Sequence, residues 1–340
     1  MARRRLALRR DAGGRARRAS LHKPRKCASL SRTGREQQPC HKEGSLDNAL
    51  YDYSPIVQRQ KLEWPDGNRL AFWVGLNIEH YELDKPSTSL FAGTAGLTPD
   101  PLNYGWRDYG PRVGIWRMMS ALDGLGVRAT VMLNSDVCRF YPQIVEAGVE
   151  RGWAWVAHGK NNSMFQAGMS IDEERAYLTD VVETIERATG ERPHGWLGPA
   201  LTETLNTPEL LAELGLTYVC DWCCDDQPFP LNVQAGPMIS IPYSIEVNDI
   251  PLFVGKGSSG EDFYRIVADQ FDVLYEEAEA SGRVMSLGLH PFIINLPFRH
   301  KYLVRALEYI LGHDGVWATT ADEIAAWYLD RYVGTPVQET

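Results

Sequence analysis

Long apolar runs are missing from this sequence. None approaches the roughly 18 consecutive apolar residues of a membrane-spanning helix, so we expect no membrane partner. Cysteine is also scarce, with six in 340 residues, and the N-terminal region lacks the apolar stretch of a secretory signal. A reduced, cytoplasmic location is therefore the simpler expectation.

Positive charge is scarce outside the first 42 residues. Those residues contain 14 Lys or Arg and only Asp11 and Glu36 as acids, whereas the rest of the chain contains 21 basic and 42 acidic residues. A strongly acidic body is a poor match for the polyanionic backbone of a nucleic acid. We therefore expect no nucleic-acid partner.

The first 45 residues combine many arginines with almost no large apolar side chains. Such a composition cannot bury enough surface to offset chain entropy, so we predict a disordered, Arg-rich N-terminal segment over residues 1–45. Three origins are open for it: a disordered arm, a transit-type peptide, or a translated stretch upstream of the true start.

Short apolar runs alternate with amphipathic stretches from about Leu62 onward. The runs at 69–78 and 284–289 are typical of buried parallel strands. Residues 171–189 have helical spacing and follow a capping-box sequence at their start. Repeated strand–helix units predict an α/β fold, namely a single distorted (β/α) barrel of about seven strands over residues 46–335.

Three of the predicted strands end in a histidine. The first closes with Glu79-His80, another with His158, and a third with His290. The carboxyl ends of the strands of a parallel barrel meet at one mouth, where active-site groups lie. Because histidine titrates near neutral pH, it can pass a proton to a leaving group. The long Pro- and Gly-rich loop from Tyr81 to Gly110 is also predicted to be functional.

Several short motifs, in a fixed order, resemble the polysaccharide deacetylase (NodB-like) superfamily. Within it, the sequence looks most similar to the allantoinase-type branch, which cleaves small cyclic amides. The resemblance implies a hydrolase that acts on carbon–nitrogen bonds other than peptide bonds. The motifs are Val74–His80, Tyr109–Arg117, His158–Ser163, Gly190–Trp196, Asp221-Trp222 with Asp225–Pro228, and Leu289–Pro291.

The resemblance implies four catalytic residues. Glu79 falls on the position of the general base that activates water, and His290 on that of the general acid that protonates the leaving nitrogen. Glu79 can act as a base if burial raises its pKa. The family places an arginine beside the base, here Arg192, and Asp221 would hold either His290 or Arg192 in position. A purely structural pairing of Glu79 with Arg192 is the alternative.

The same resemblance implies a divalent metal, zinc or similar, but the ligand positions depart from the family pattern. His80 stands where the family has an acid, and Asn162 stands where it has the second histidine of a pair that begins here with His158. Two imidazoles and an amide oxygen make a poor zinc site. Two interpretations follow: either His80, His158 and Asn162 bind a metal, or they hydrogen-bond the substrate. We expect Glu79, His80, His158, Arg192 and His290 to converge at one barrel mouth.

Three further residues are candidates for substrate binding. Trp196 is expected to wall the pocket, with an ordinary core position as the alternative. Asp225 and Asp226 lie just beyond a predicted strand end, where their carboxylates can accept hydrogen bonds from substrate N–H groups. A solvated acidic loop is the alternative for this pair.

Two classes of function remain open from the sequence. The first is an amide C–N hydrolase whose small-molecule substrate is a cyclic amide, ureide or imide, with a carbohydrate N-deacetylase as the variant within the same class. The second is a non-catalytic ligand-binding barrel that has lost the metal site. The acidic body and many exposed loops leave room for a homo-oligomer.

Overall fold

A computed structural model describes residues 48–85 and 90–333 of the chain. The predicted N-terminal segment over residues 1–45 lies outside the described residues. Within the described ranges, no helix is long and apolar enough to cross a membrane.

A single curved sheet organises the described part of the chain. Its strand order is β6-β7-β5-β4-β3-β2-β1-β8, with β9 paired to β1. Every pairing is parallel except that of β6 with β7, so the predicted α/β barrel is confirmed. The strands are β1 (Leu70–Ile78), β2 (Ala129–Leu133), β3 (Ala154–Ala157), β4 (Gly195–Trp196), β5 (Tyr218–Val219), β6 (Phe229–Pro230), β7 (Ile239–Ser240), β8 (Arg283–Leu289) and β9 (Val316–Thr319).

Strand β1 is the centre of the sheet. It pairs with β8 from Leu70 to Leu76, while its opposite edge is divided between β9 at Leu70–Trp73 and β2 at Val74–Ile78. All nine of its residues are buried. A strand that is covered on both faces has a continuous run of apolar residues, which is why β1 can be predicted from the sequence.

Helices follow most of the strands and cover the outer face of the sheet. One of them, α1, lies within the stretch from Tyr81 to Gly110 that the sequence predicts as a loop. It begins after Asp100, whose side chain accepts a hydrogen bond from the backbone of Asn103. The helices are α1 (Pro101–Tyr109), α2 (Ile115–Leu125), α3 (Ser135–Phe140), α4 (Pro142–Glu150), α5 (Ile171–Thr189), α6 (Thr207–Glu213), α7 (Gly260–Glu277), α8 (Pro291–Ile294), α9 (Pro297–Leu311) and α10 (Ala321–Tyr328).

The barrel is closed by irregular backbone rather than by a regular pair of strands. On β8, the N–H of Val284 donates to the carbonyl of Asp226 at 2.8 Å, and the N–H of Gly288 donates to the carbonyl of Val247 at 3.3 Å. Asn248 also forms an isolated parallel bridge with Gly288. This closure brings the segment around residue 248 beside the carboxyl end of β8.

The inner face of the sheet is filled by side chains. One apolar cluster takes Trp73 from β1, Met132 from β2, Val156 from β3, Tyr218 from β5 and Ile239 from β7. Each of these residues is fully buried. Because the interior of such a barrel is packed, a substrate site is confined to the mouth at the carboxyl ends of the strands.

Candidate active site

The carboxyl ends of β1, β3 and β8 bring one carboxylate and two imidazoles together. Glu79 follows β1, His158 follows β3 and His290 follows β8. Glu79 Oε1 lies 3.4 Å from His158 Nε2 and 3.6 Å from His290 Nε2. At most 5% of each side chain is exposed to solvent. These three side chains are therefore placed to act on one bound molecule.

Two further donors hold the Glu79 carboxylate. Tyr81 donates its hydroxyl proton to Oε2 at 2.8 Å, and Asn162 Nδ2 donates to Oε1 at 2.6 Å. The guanidinium of Arg107 from α1 lies 4.1 Å from the centre of the Tyr81 ring. Neither Tyr81 nor Arg107 is among the site residues that the sequence predicts. Tyr81 could have been predicted, because extended backbone projects alternate side chains to the same side. A polar residue two places after Glu79 is therefore expected to face the same site.

The electrostatics of Glu79 differ from the sequence-based expectation. Burial by itself raises its pKa, as expected for a carboxyl group taken out of water. Attraction to protonated His290 and hydrogen bonds from His158 and His290 outweigh burial and hold the pKa of Glu79 well below its usual range. The condition that burial raises the pKa is therefore not met, but Glu79 is ionised at neutral pH, which is the form of a carboxyl group that can accept a proton.

His290 is held between two carboxylates. Its Nδ1 lies 2.6 Å from Asp249 Oδ1, and its backbone N–H donates to Asp249 Oδ2 at 2.7 Å. Burial lowers the pKa of His290, but attraction to Asp249 and Glu79 overcomes this and raises the pKa to about 10. His290 therefore carries a proton at neutral pH, with Nε2 directed toward Glu79. Asp249 is fully buried and was missed, although a carboxylate within the apolar stretch 247–253 was a usable signal.

A buried asparagine at the end of β2 orients the polar groups of the site. Asn134 Nδ2 donates to Asn162 Oδ1 at 3.0 Å and to the carbonyl of His158, and its Oδ1 accepts from the backbone N–H of His80 at 2.8 Å. His158 Nδ1 lies 2.6 Å from the carbonyl of Leu197 and donates to it. His158 Nε2 faces the site and lies 3.4 Å from Glu79 Oε1, within hydrogen-bond distance of the carboxylate.

The expected metal ligands do not form a metal site. The ring of His80 turns away and stacks on Phe140, with the ring centres 4.4 Å apart. Asn162 uses its nitrogen on Glu79 and its oxygen accepts from Asn134, so both ends of its amide are engaged within the protein. Within the described ranges, no group of three or more His, Cys, Asp or Glu could hold an ion. The residues at the positions that the family implies therefore do not fit a divalent metal.

Arg192 and Asp221 lie apart from Glu79 and His290. Arg192 precedes β4, at the opposite end of the strand from the mouth, and its Nη1 pairs with Glu186 at 2.6 Å on a half-exposed surface. Asp221 accepts from the backbone N–H of Gly198 at 2.8 Å, not from His290 or Arg192. The structure thus does not bring these two residues into the places that the resemblance implies.

The three expected substrate-binding residues are also outside the central cavity. Trp196 is fully buried in the apolar core, which corresponds to the alternative interpretation. Asp225 pairs with Arg59 at 2.5 Å, and Asp226 borders a separate groove next to it. Both residues follow β5, but the carbonyl of Asp226 accepts from the N–H of Val284 at the start of β8, the end of that strand away from His290.

A cavity of about 270 Å³ lies above the paired carboxylate and histidines. Its floor is polar and its side walls are largely apolar, an arrangement common in small-molecule sites. The floor comprises Glu79, Tyr81, His158, Asn162 and His290, and the walls include Phe165, Leu197, Ala200, Leu201, Tyr243 and Ile250.

Sequence comparison places this chain among known deacetylases. The model of the family described as polysaccharide deacetylase matches residues 104–219. A Schizosaccharomyces pombe protein that carries the name polysaccharide deacetylase is 30% identical over 300 residues, covering 78% of this chain and 92% of that protein. The peptidoglycan deacetylase of Helicobacter pylori is 26% identical over 286 residues, covering 74% of this chain and 96% of that protein.

Solved structures show the same relationship. The crystal structure of PuuE allantoinase matches with a TM-score of 0.75 at 26% identity, over 82% of this chain and 96% of that chain. A Pseudomonas aeruginosa PAO1 protein named as a polysaccharide deacetylase matches with a TM-score of 0.75 at 27% identity, over the same shares of the two chains. These findings confirm the resemblance of the motifs: this chain belongs to the polysaccharide deacetylase family and is an amide C–N hydrolase of that family.

Proposed function

We propose that this protein hydrolyses the amide C–N bond of a small cyclic amide, ureide or imide. The observation that carries the proposal is the buried Glu79–His290 pair at the floor of a cavity of about 270 Å³. A carboxylate that is ionised and an imidazole that is protonated form a base and an acid in their working states. The allantoinase neighbour, whose name indicates a small ureide as substrate, supports the choice of substrate class.

Glu79 and His290 divide the proton transfers of the reaction. Water bound beside Glu79 gives one proton to the carboxylate while its oxygen forms a bond to the amide carbon. Nε2 of His290 then donates its proton to the nitrogen as the C–N bond breaks, leaving a carboxylic acid and an amine. The proton on Glu79 returns to His290, whose Nε2 lies 3.6 Å from Glu79 Oε1, and the site is restored.

Tyr243 is placed to stabilise the oxyanion that forms when water adds. Its hydroxyl oxygen accepts hydrogen bonds from Asn77 Nδ2 at 3.0 Å and from Asn248 Nδ2 at 3.2 Å. A hydroxyl that accepts twice still has its own proton to donate, and Tyr243 lines the cavity. His158 complements it, since its Nε2 lies beside Glu79 on the floor of the same cavity and is within reach of a bound substrate. These roles require only residues of this chain.

N-deacetylation of a sugar is the second candidate, and the names of the two curated relatives favour it. It uses the same base and acid but needs room for a pyranose ring with its neighbours. The compact cavity favours the smaller substrate.

A hydrolysis screen tests the proposal. The purified full-length chain is incubated with hydantoin, allantoin, dihydrouracil, succinimide and N-acetylglucosamine oligomers, with and without EDTA, and product carboxylate or acetate is followed by NMR. We expect turnover of at least one cyclic compound, insensitivity to EDTA, and loss of turnover in Glu79→Gln. Release of acetate alone would support the sugar deacetylase. Turnover by neither class, in a folded protein that still binds one of these compounds, would indicate the non-catalytic barrel.

A further inference from the structure

One wall of the cavity is a tight turn that two non-glycine residues hold in an unusual backbone conformation. Ala200 and Leu201 both line the cavity and both have a φ of 56°, in the left-handed region that side chains other than glycine rarely adopt. The N–H of Leu201 donates to the carbonyl of Gly198 at 2.8 Å and closes the turn. Such a conformation persists only where neighbouring groups hold it in place.

The group that holds the turn is the carboxyl of Asp221, a partly exposed residue whose Oδ2 is buried. Asp221 Oδ1 accepts from the backbone N–H of Gly198 at 2.8 Å. A Cβ atom at Gly198 would lie 2.0 Å from the carbonyl oxygen of Thr202, so the two ends of the turn are in close contact. Any movement of Asp221 therefore acts directly on the turn and on the cavity wall that it carries.

Asp221 does not stand alone, because burial and the nearby carboxyl of Glu203 both raise its pKa. Asp221 Oδ2 and Glu203 Oε1 are both buried, and neither has a hydrogen-bond partner among the described residues. The second oxygen of Glu203 accepts from Trp222 Nε1 at 3.2 Å. Two neighbouring carboxyl groups disfavour each other's ionised form, and two buried oxygens without a donor are a place where one proton can be shared.

The other charged and titratable groups around this pair do not supply a compensating cation. Glu174 of α5 is the nearby acid, and the hydroxyls of Thr204 and Thr207 satisfy it. The thiols of Cys220 and Cys223 flank Asp221. Among residues 48–85 and 90–333, no ion pair reaches Asp221 or Glu203. No side-chain cation among these residues therefore neutralises the two carboxyl groups.

We propose that Asp221 and Glu203 are positioning residues that hold one proton between them and thereby keep the turn from Gly198 to Thr202, and its Ala200–Leu201 wall, in the shape that forms the cavity. The inference holds whichever amide the site hydrolyses. It also gives Asp221 a role different from the one that the family resemblance implies.

The direction of the pH dependence follows from burial. Burial raises the pKa of Asp221 well above its usual value and also raises that of Glu203. The closed turn holds a proton that solvent-exposed carboxyls would release above about pH 4. The turn is thus fully stable at low pH and opens more readily as pH rises from that value toward the raised pKa, by at most about tenfold per pH unit for one proton.

Hydrogen exchange of the full-length chain tests this proposal without a substrate. Peptides covering residues 197–204 are followed by mass spectrometry from about pH 5 to about pH 9, with rates corrected for intrinsic exchange. We expect the opening of the turn to increase with pH in the wild type. Asp221→Asn should remove this increase, because the amide oxygen still accepts from Gly198 and its NH₂ donates permanently to Glu203. Asp221→Ala should leave the turn open at every pH.

Glu203→Gln provides the same test from the other side and serves if the first variant fails to fold. Asp322→Asn is the matched control, since burial also raises the pKa of Asp322, which accepts from Tyr218 and not from the turn. The control should keep the wild-type slope. A wild type without a pH slope, an unchanged slope in both neutral variants, or loss of the slope in the control would overturn the proposal.

Discussion

His290 keeps its proton because Asp249 on one side and Glu79 on the other are both negatively charged. As the general acid it must be protonated, so kcat/KM of the wild type should fall as pH rises through about 10. Asp249→Asn removes one of the two charges while leaving an oxygen for Nδ1. The pKa of His290 then falls, and the basic limb should move to lower pH by about 1–3 units.

A pH profile of kcat/KM for the wild type and Asp249→Asn checks this directly, with any compound that the screen finds. The free energy of unfolding should also fall as pH rises through this range. A histidine whose pKa is raised on folding stabilises the protein below about pH 6.5, and that stabilisation is lost as pH rises through about 10. A basic limb at the same pH in both proteins would mean that His290 is not the acid.

A substitution of Arg192 tests whether this arginine lies in the active site, as the family resemblance implies, or outside it, as the structure places it. The family implies an arginine beside the base, whereas Arg192 here pairs with Glu186 at the other end of the barrel. We therefore expect Arg192→Gln to change kcat/KM by less than about threefold, and unfolding free energy by less than about 1 kcal/mol, the usual value of an exposed ion pair. Steady-state kinetics measures kcat/KM, and thermal unfolding measures the change in stability. A loss of kcat/KM above 100-fold in a variant that still folds would show that Arg192 takes part in the reaction.

What the sequence reveals at this scale depends on where a residue lies along a strand. Glu79, His158 and His290 each follow a readable apolar run, so their meeting at one mouth could be inferred. Asp249 follows no regular strand, and its place beside His290 results from the irregular closure around Gly288. Side-chain direction was also not readable, which is why His80 was expected in the site although its ring stacks on Phe140.

At the scale of elements, the start of α2 is packed directly against the segment that carries His290. A Cβ at Gly114 would lie 2.1 Å from the carbonyl oxygen of Pro291, which follows His290. Gly114→Ala must push this backbone aside, so we expect a loss of about 1–3 kcal/mol in unfolding free energy together with reduced kcat. Chemical denaturation and kinetics of the same preparation measure the two effects.

The same helix supplies the control for that substitution. Gly124 is exposed near the end of α2, and no atom lies within 4 Å of an added Cβ. Gly124→Ala should leave kcat unchanged and raise stability by up to about 1 kcal/mol, because alanine is the better helix former. Equal effects of the two substitutions would show that the contact with Pro291 does not matter.

Helices and strands that are marked by a local sequence pattern, such as a capping box or a terminal glycine, could be predicted. Those without such a pattern could not. The capping box at Ser170 and the left-handed Gly190 mark both ends of α5, and both are present. Strand β6 has only two residues and is antiparallel to its neighbour. A strand this short shows no alternation of apolar and polar residues from which it could be predicted. Helix α1 was hidden because its stretch is rich in Pro and Gly, and its start depends on the side chain of Asp100.

At the scale of the whole molecule, the residues at the start of the described range are bonded to the body of the fold. The carbonyl of Leu50 accepts from the N–H of Asn232 at 2.6 Å, and the carbonyl of Ala49 accepts from its side chain. Deletion of residues 1–45 leaves these bonds intact and removes a segment with few large apolar side chains. We expect the melting temperature and kcat/KM to remain nearly unchanged. A fall in melting temperature of more than about 4 °C, which corresponds to roughly 2 kcal/mol, would contradict this expectation.

The central claim is that Glu79 and His290 act as base and acid on one bound amide, and a double-mutant cycle tests it most directly. Glu79→Gln, His290→Ala and the double variant are compared with the wild type by kcat/KM, with folding checked by circular dichroism. Each single change should lower kcat/KM by about 10²–10⁴-fold, and the double variant should lose less than the product of the two losses, because both groups serve one proton-transfer sequence. Near-full activity in either single variant, or losses that multiply as for independent sites, would contradict the account.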